Sequence, residues 1–356
     1  MLPIMTTACP DLTGFPYHRM GRSSGRHRWW RPLLGTLLFI PSWLVLSLLL
    51  YAVSYGLGTA AGYPELPDGG VDLGPLRNTA LDLTYIAIAL PLILLAVRWT
   101  ERRPVGTLSS VTGRLRVRWL AWCLLAALPP VTLLVLTTVL MPNDGAASVE
   151  STAWVGWQSF LTSLAVLAVF VPVQAVAEEY VFRGWLTQAV GAFLRSPWFA
   201  VLPQAVLFAT AHGWGTRWGF IDLLVFGVVA GWLTIRTGGL EATIALHVLN
   251  NLLAFGFSAA VVDGLSSDDT AADAPWQLAL VDMATVLLYA AIMLRFTRRY
   301  PPQRLAPPEA TPPLHAPCPC PLAAPPQSGI PRSYHLQSDS GGPPSPELPV
   351  RESDLY

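Results

Sequence analysis

The sequence predicts an all-α fold, a polytopic transmembrane bundle of about eight helices followed by a disordered C-terminal tail. Three observations carry this prediction. Of 356 residues, 53% are hydrophobic and only 12% charged, where a soluble domain typically carries about 25% charge. Apolar runs of bilayer-spanning length recur along the chain, and mean hydropathy is +0.46. Residues 301–356 are instead rich in Pro, Ser and Gly and have no apolar periodicity, a composition that does not build a core.

Residues 1–32 form a polar, basic arm carrying Arg19, Arg22, Arg26, Arg28 and Arg31. The first long apolar run follows, Leu33–Tyr55. It is longer than a signal-peptide core and reads as an uncleaved anchor. Further runs lie near 77–97, 119–141, 158–182, 198–213, 218–236, 239–262 and 276–296. About 20 apolar residues cross a hydrocarbon core, and a backbone without water must satisfy itself, so these runs are expected to be helices. The run at 198–213 is the shortest; without it the count falls to seven. The bundle is assigned to 33–297 and the tail to 298–356.

Charge asymmetry orients the bundle. All 22 Lys and Arg positions are Arg, and they balance 22 acids. Arg98, Arg102, Arg103, Arg114, Arg116 and Arg118 fill one loop. Arg195, Arg236, Arg298, Arg299 and Arg304 fall in alternate connections. Glu65, Asp68, Asp72, Asp144, Glu150, Asp263, Asp268, Asp269 and Asp273 occupy the others. Under the positive-inside rule this places both termini in the cytoplasm of a multi-pass cell-membrane protein, with Arg217 the exception. A net charge of zero offers no field for nucleic acid. Cys9, Cys123, Cys318 and Cys320 make neither a disulfide framework nor a zinc spacing.

The candidate chemistry lies in the apolar region, where an ionisable group costs about 2.5–3.5 kcal/mol to insert. Glu178 and Glu179 stand together, and Arg183 lies one turn on, so Glu179 and Arg183 share a face and can pair. Glu178 is turned by about 100° and is the acid left over, free for proton transfer. Of six histidines, only His212 and His247 fall in this region. Phe208 lies one turn before His212, and Asn251 one turn after His247. A carboxylate that deprotonates water, beside N–H donors for an oxyanion, makes a peptidase set without a covalent nucleophile. The rival reading, two His and a Glu on zinc, lacks the His-Glu-x-x-His spacing and any thiolate. Asp82, Asp222 and Asp282 are expected near helix ends, with Asp222 a possible partner of His212. Gly227 and Gly231 suit close helix packing.

In order, Glu178-Glu179-x-x-x-Arg183, Phe208-x-x-x-His212 and His247-x-x-x-Asn251 resemble the pattern of the CPBP family of intramembrane glutamic endopeptidases, also called CAAX prenyl protease or Abi-type proteins. The resemblance covers about 160–260. It implies that Glu178 activates water, Glu179 and Arg183 support it, His212 orients Glu178 or the water, and His247 and Asn251 form the oxyanion side. It implies no metal and no cofactor. The implied partners are the lipid bilayer and a membrane-anchored protein or peptide substrate. Phe208 reads as packing. Two alternatives stay open: a non-enzymatic immunity or scaffolding factor, and a proton-coupled transporter. One tension also stands: His212 closes a helix directed away from the side where Glu178 and His247 lie.

Overall fold

The computed structural model describes residues 14–66, 69–140, 153–267 and 269–306. Cys9, Cys318, Cys320, Asp68, Asp144, Glu150, Asp268, His315, His335 and the tail from 307 onward lie outside the described residues. Within them the chain is helical, and its β-pairing is limited to isolated bridges. Seven helices are long and apolar enough to cross a membrane. These are α1 (Trp30–Ala60), α2 with α3 and a π turn (Pro75–Glu101), α5 (Val117–Thr137 as the apolar window), and α6 with its continuation (Trp157–Gly191). The set closes with α9 (Arg217–Thr237), α10 (Glu241–Ala260) and α11 (Trp276–Arg299). The four-residue α4 (Gly106–Ser109) sits in the loop before α5.

The expectation of about eight spanning helices is corrected in one respect. The 198–213 run forms α8, Trp198–Ala211, only 14 residues long. At 1.5 Å per residue it is about 21 Å long, short of the roughly 30 Å hydrocarbon thickness. It does not need to cross, and its end with His212 therefore stops part-way along the bundle. The fourth run also differs. It does not end near 182 but continues from α6 (Trp157–Glu179) through a π segment, Tyr180–Leu186, into α7 (Thr187–Gly191).

Lipid as solvent explains the inside-out surface. Leu33, Leu37, Leu44, Leu48, Val117, Leu125, Leu161 and Val169 are exposed, which in water would mark an interface but here costs nothing against acyl chains. Burial identifies the centre. In its most apolar window α9 is 56% buried, whereas α1 is 11% buried. The reading of Gly227 and Gly231 as packing glycines is met. A Cβ at Gly227 would stand 2.8 Å from Ala205 Cα, and one at Gly231 would stand 2.5 Å from Gln204 Nε2. Gln204 Nε2 donates to Gly227 O at 2.8 Å, so α8 and α9 touch through backbone.

The turn from α9 to α10 depends on Gly238, which adopts φ 72°. It brings Glu241 under the loop that precedes α5. Arg116 clasps Glu241 with its backbone N at 2.8 Å, Nε at 2.9 Å and Nη2 at 2.6 Å. Glu241 is fully buried. Elsewhere Glu101 accepts from Arg103 Nε at 2.7 Å and from Trp185 Nε1 at 2.9 Å. Arg103 Nη1 also donates to Gln188 Oε1 at 2.7 Å. Arginines that read as orienting charges are thus also buried ties.

The N-terminal arm folds back on this end of the bundle. Tyr17, His18, Met20 and Gly21 are buried, and a Cβ at Gly191 would meet His18 O at 2.0 Å. Residues 300–306, read as the start of the tail, return alongside it, and Ala306 N donates to Phe15 O at 2.8 Å.

Two outcomes follow. Replacing Glu241 by Ala strands Arg116 and should lower unfolding free energy by about 3–5 kcal/mol, measured by denaturant titration in detergent. His18 Nε2 donates to Arg195 O at 3.1 Å while Nδ1 is buried without a partner, and burial holds the imidazole below its ordinary value. A depressed imidazole stabilises the docked arm above the ordinary histidine value, and that stability is lost as pH falls through the lower, folded value. Proteolysis within Arg22–Arg28 should quicken between about pH 7.5 and about pH 5, and His18→Gln should flatten that dependence.

Candidate active site

The site is assembled where α6 ends and the π segment begins. Pairing i to i+5 widens the helix and is frequent at functional sites. Glu178 and Glu179 are the last residues of α6 proper, and Arg183 lies within the wide turn. Glu179 and Arg183 are each fully buried and pair at 3.0 Å. The guanidinium lies 3.9 Å from the centroid of the Phe208 ring and 5.3 Å from that of Phe226, so its charge is met by a carboxylate in front and ring faces behind.

Helix α10 supplies His247, 3% exposed. Its Nδ1 is 2.9 Å from Glu179 Oε1. Glu179 Oε1 also takes the Arg183 Nη1 bond and is an acceptor, so Nδ1–H donates and the tautomer is set by its partner. The other ring nitrogen, Nε2, faces Glu178 Oε2 at 3.4 Å. Among the described residues Glu178 Oε2 makes no hydrogen bond. Glu178 is thus the acid without an ion-pairing arginine, as the i to i+4 spacing predicts.

Phe208 is the hub. It is 1% exposed, and its ring centroid lies 4.6 Å from that of His212 and 5.9 Å from that of His247. His212 caps α8, and its Nδ1 donates to Phe208 O at 2.9 Å, which leaves Nε2 as the free nitrogen. Because α8 is short, His212 stands beside the cluster and not beyond it, which removes the depth conflict. No hydrogen bond or ion pair joins His212 to Glu178 among the described residues; the two are linked through the Phe208 and His247 rings. Asn251 is reached differently again. Its Nδ2 donates to Gln174 Oε1 at 3.1 Å.

The structure therefore brings Glu178, Glu179, Arg183 and His247 into direct contact. His212 sits one ring away, and Asn251 sits one turn along α10. Asp222 is not the expected partner of His212. It is buried and lies near Asp282 of α11, which Asn250 Nδ2 reaches at 3.5 Å. Among the described residues, no group of three or more His, Cys, Asp or Glu side chains is arranged to hold a metal ion. Gln174 and Phe226 escaped the sequence reading. Neither type signals chemistry, although Gln174 lies one turn before Glu178 on the same face.

Stability should separate the two glutamate roles. Arg183→Met leaves Glu179 buried and unpaired, and should cost about 3–5 kcal/mol. Glu178→Gln breaks no direct ion pair with an arginine and should change stability by less than about 0.5 kcal/mol or raise it. Thermal melts in detergent check both.

Comparison with known proteins bears on the same segment. Residues 158–253 match the family model described as Type II CAAX prenyl endopeptidase Rce1-like. A Bacillus subtilis (strain 168) protein described as uncharacterized protein YyaK is 28% identical over 243 residues, which span 65% of this chain and 80% of that one. No solved structure gives a significant match.

Proposed function

We propose, from the match of residues 158–253 to the Rce1-like, type II CAAX prenyl endopeptidase model, that this protein is an intramembrane endopeptidase. It hydrolyses a peptide bond in a membrane-anchored protein or peptide. The observation that carries the reading is the contact of His247 with both acids, at 2.9 Å to Glu179 and 3.4 Å to Glu178.

Glu178 takes a proton from water, and the hydroxide attacks the scissile carbonyl carbon. The carbonyl π electrons move onto oxygen. The N–H groups of Asn251 and of His247, when Nε2 carries a proton, stabilise that oxyanion. Collapse breaks the C–N bond, and the proton held by Glu178 passes to the leaving amine. The products are one carboxylic acid and one amine, which leave as carboxylate and ammonium once the acid's proton passes to the amine, and Glu178 returns ionised. Glu179 and Arg183 do not touch the reacting atoms; they hold the His247 ring with Nε2 toward Glu178. His212 lends its free Nε2 to water from the α8 side. The arm-bearing end, rich in Arg, faces the cytoplasm on the positive-inside argument.

The test uses the full chain in membranes and a quenched fluorogenic peptide with a farnesylated Cys-aliphatic-aliphatic-X end, alongside an acylated counterpart. Wild type should cleave an anchored peptide. Glu178→Gln should lose at least about 10³-fold in kcat, and His247→Ala about 10²-fold. Undiminished cleavage by Glu178→Gln would remove its role as base. Failure of wild type on both peptides, with no new termini in the host's membrane proteins, would end the hydrolase reading.

A further inference from the structure

Helices α6 and α10 run antiparallel, and their polar contacts keep one register. Glu178 of α6 meets His247 of α10 at 3.4 Å. One turn back along α6 and one turn forward along α10, Gln174 meets Asn251 at 3.1 Å. Four residues on a helix rise about 6 Å, so the two contacts are successive rungs of one ladder. Apolar neighbours hold the same register: Ala175 and Val176 pack in one cluster with Ile244 and Val248, and Leu167 and Val171 in another with Leu252 and Ala259. Gln174 is 3% exposed, so the cost of burying its amide must be met by contacts such as this one.

The direction of this hydrogen bond matters. Asn251 gives one of its two N–H groups to Gln174 Oε1. With Gln174 Oε1 facing it, turning the Asn251 amide over would set its oxygen against another oxygen. With one N–H occupied, the second is held in a known plane, on the rung next to Glu178.

We propose that Gln174 is a positioning residue of the hydrolytic site. It holds the Asn251 amide in the orientation that aims its second N–H at the oxyanion. This rests on the hydrolytic reading above and adds to it a residue outside the three motifs. Gln174 does not touch the reacting atoms; it acts through Asn251, and its loss acts on the transition state more than on substrate binding.

The experiment follows kcat and KM for the full chain in membranes, on the anchored fluorogenic peptide. Gln174→Met, similar in length but unable to accept the bond, should lower kcat by about 10–100-fold with KM changed less than about threefold. Gln174→Glu still accepts from Asn251 and should stay within about fivefold of wild type, while the acid limb of its pH profile moves upward because a second carboxylate sits one turn from Glu178. In an Asn251→Ala background, adding Gln174→Met should cost less than about twofold. Normal kcat in a folded Gln174→Met protein, a loss confined to KM or melting temperature, or full additivity with Asn251→Ala would overturn the inference. If Gln174→Met does not fold, Gln174→Glu decides: low kcat with an unmoved acid limb would overturn it. Failure of wild type on the anchored peptides defeats the hydrolytic reading itself, and retained cleavage by Glu178→Gln defeats its glutamate base, whereas an inactive Glu178→Gln beside a normal Gln174→Met defeats only this step.

Discussion

The pairing of Glu179 with Arg183 inside the bundle carries everything around it. Two fully buried charges 3.0 Å apart must offset a desolvation cost of several kcal/mol per ion, and a lone pair contact rarely suffices. Here it is supplemented. The His247 N–H adds a second donor to the carboxylate, and the Phe208 and Phe226 rings face the guanidinium. Each supplement also sets a geometry. The N–H to Glu179 decides how the imidazole is turned, and that turn presents its other nitrogen to Glu178. The ring stack decides where α8 lies, and α8 carries His212. Removing the ion pair would therefore disturb stability and the proposed chemistry together, whereas Glu178 can change without structural loss.

Supports away from the site keep these helices in place. Glu241 begins α10 and is clasped by Arg116, while Glu101, Arg103 and Gln188 tie the loop ahead of α5 to the continuation of α6. Both ties end on the helices that bear His247 and the two glutamates. Close backbone contact at Gly227 and Gly231 brings α8 against α9. The site is thus built on rigid elements pinned at one end of the bundle, the arrangement needed to hold donors at fixed distance from a developing charge.

Much of this was legible in the residues. Seven runs have the length and apolarity of membrane helices because the bilayer imposes a minimum length and forbids unpaired backbone. The link between Glu179 and Arg183 was legible because helix geometry alone places residues four apart on one face. Asn251 shares a face with His247 for the same reason. The ends of elements were less legible. A π segment is a register change that composition does not encode, so α6 runs further than its apolar run, and α8 is shorter than its own.

What the sequence by itself determined, then, is the membrane class, where the long apolar helices lie, and which polar side chains share a helix face, since all of these follow from local spacing and transfer energy. What only the tertiary structure decided is which faces meet. That His247 bridges both acids, that Phe208 is a hub and not mere filling, that Asp222 answers Asp282 and not His212, and that Gln174 reaches Asn251 all depend on helix rotation and register. Those are set by the packing of small residues and buried ties far apart in the chain, and no local rule of helix spacing contains them.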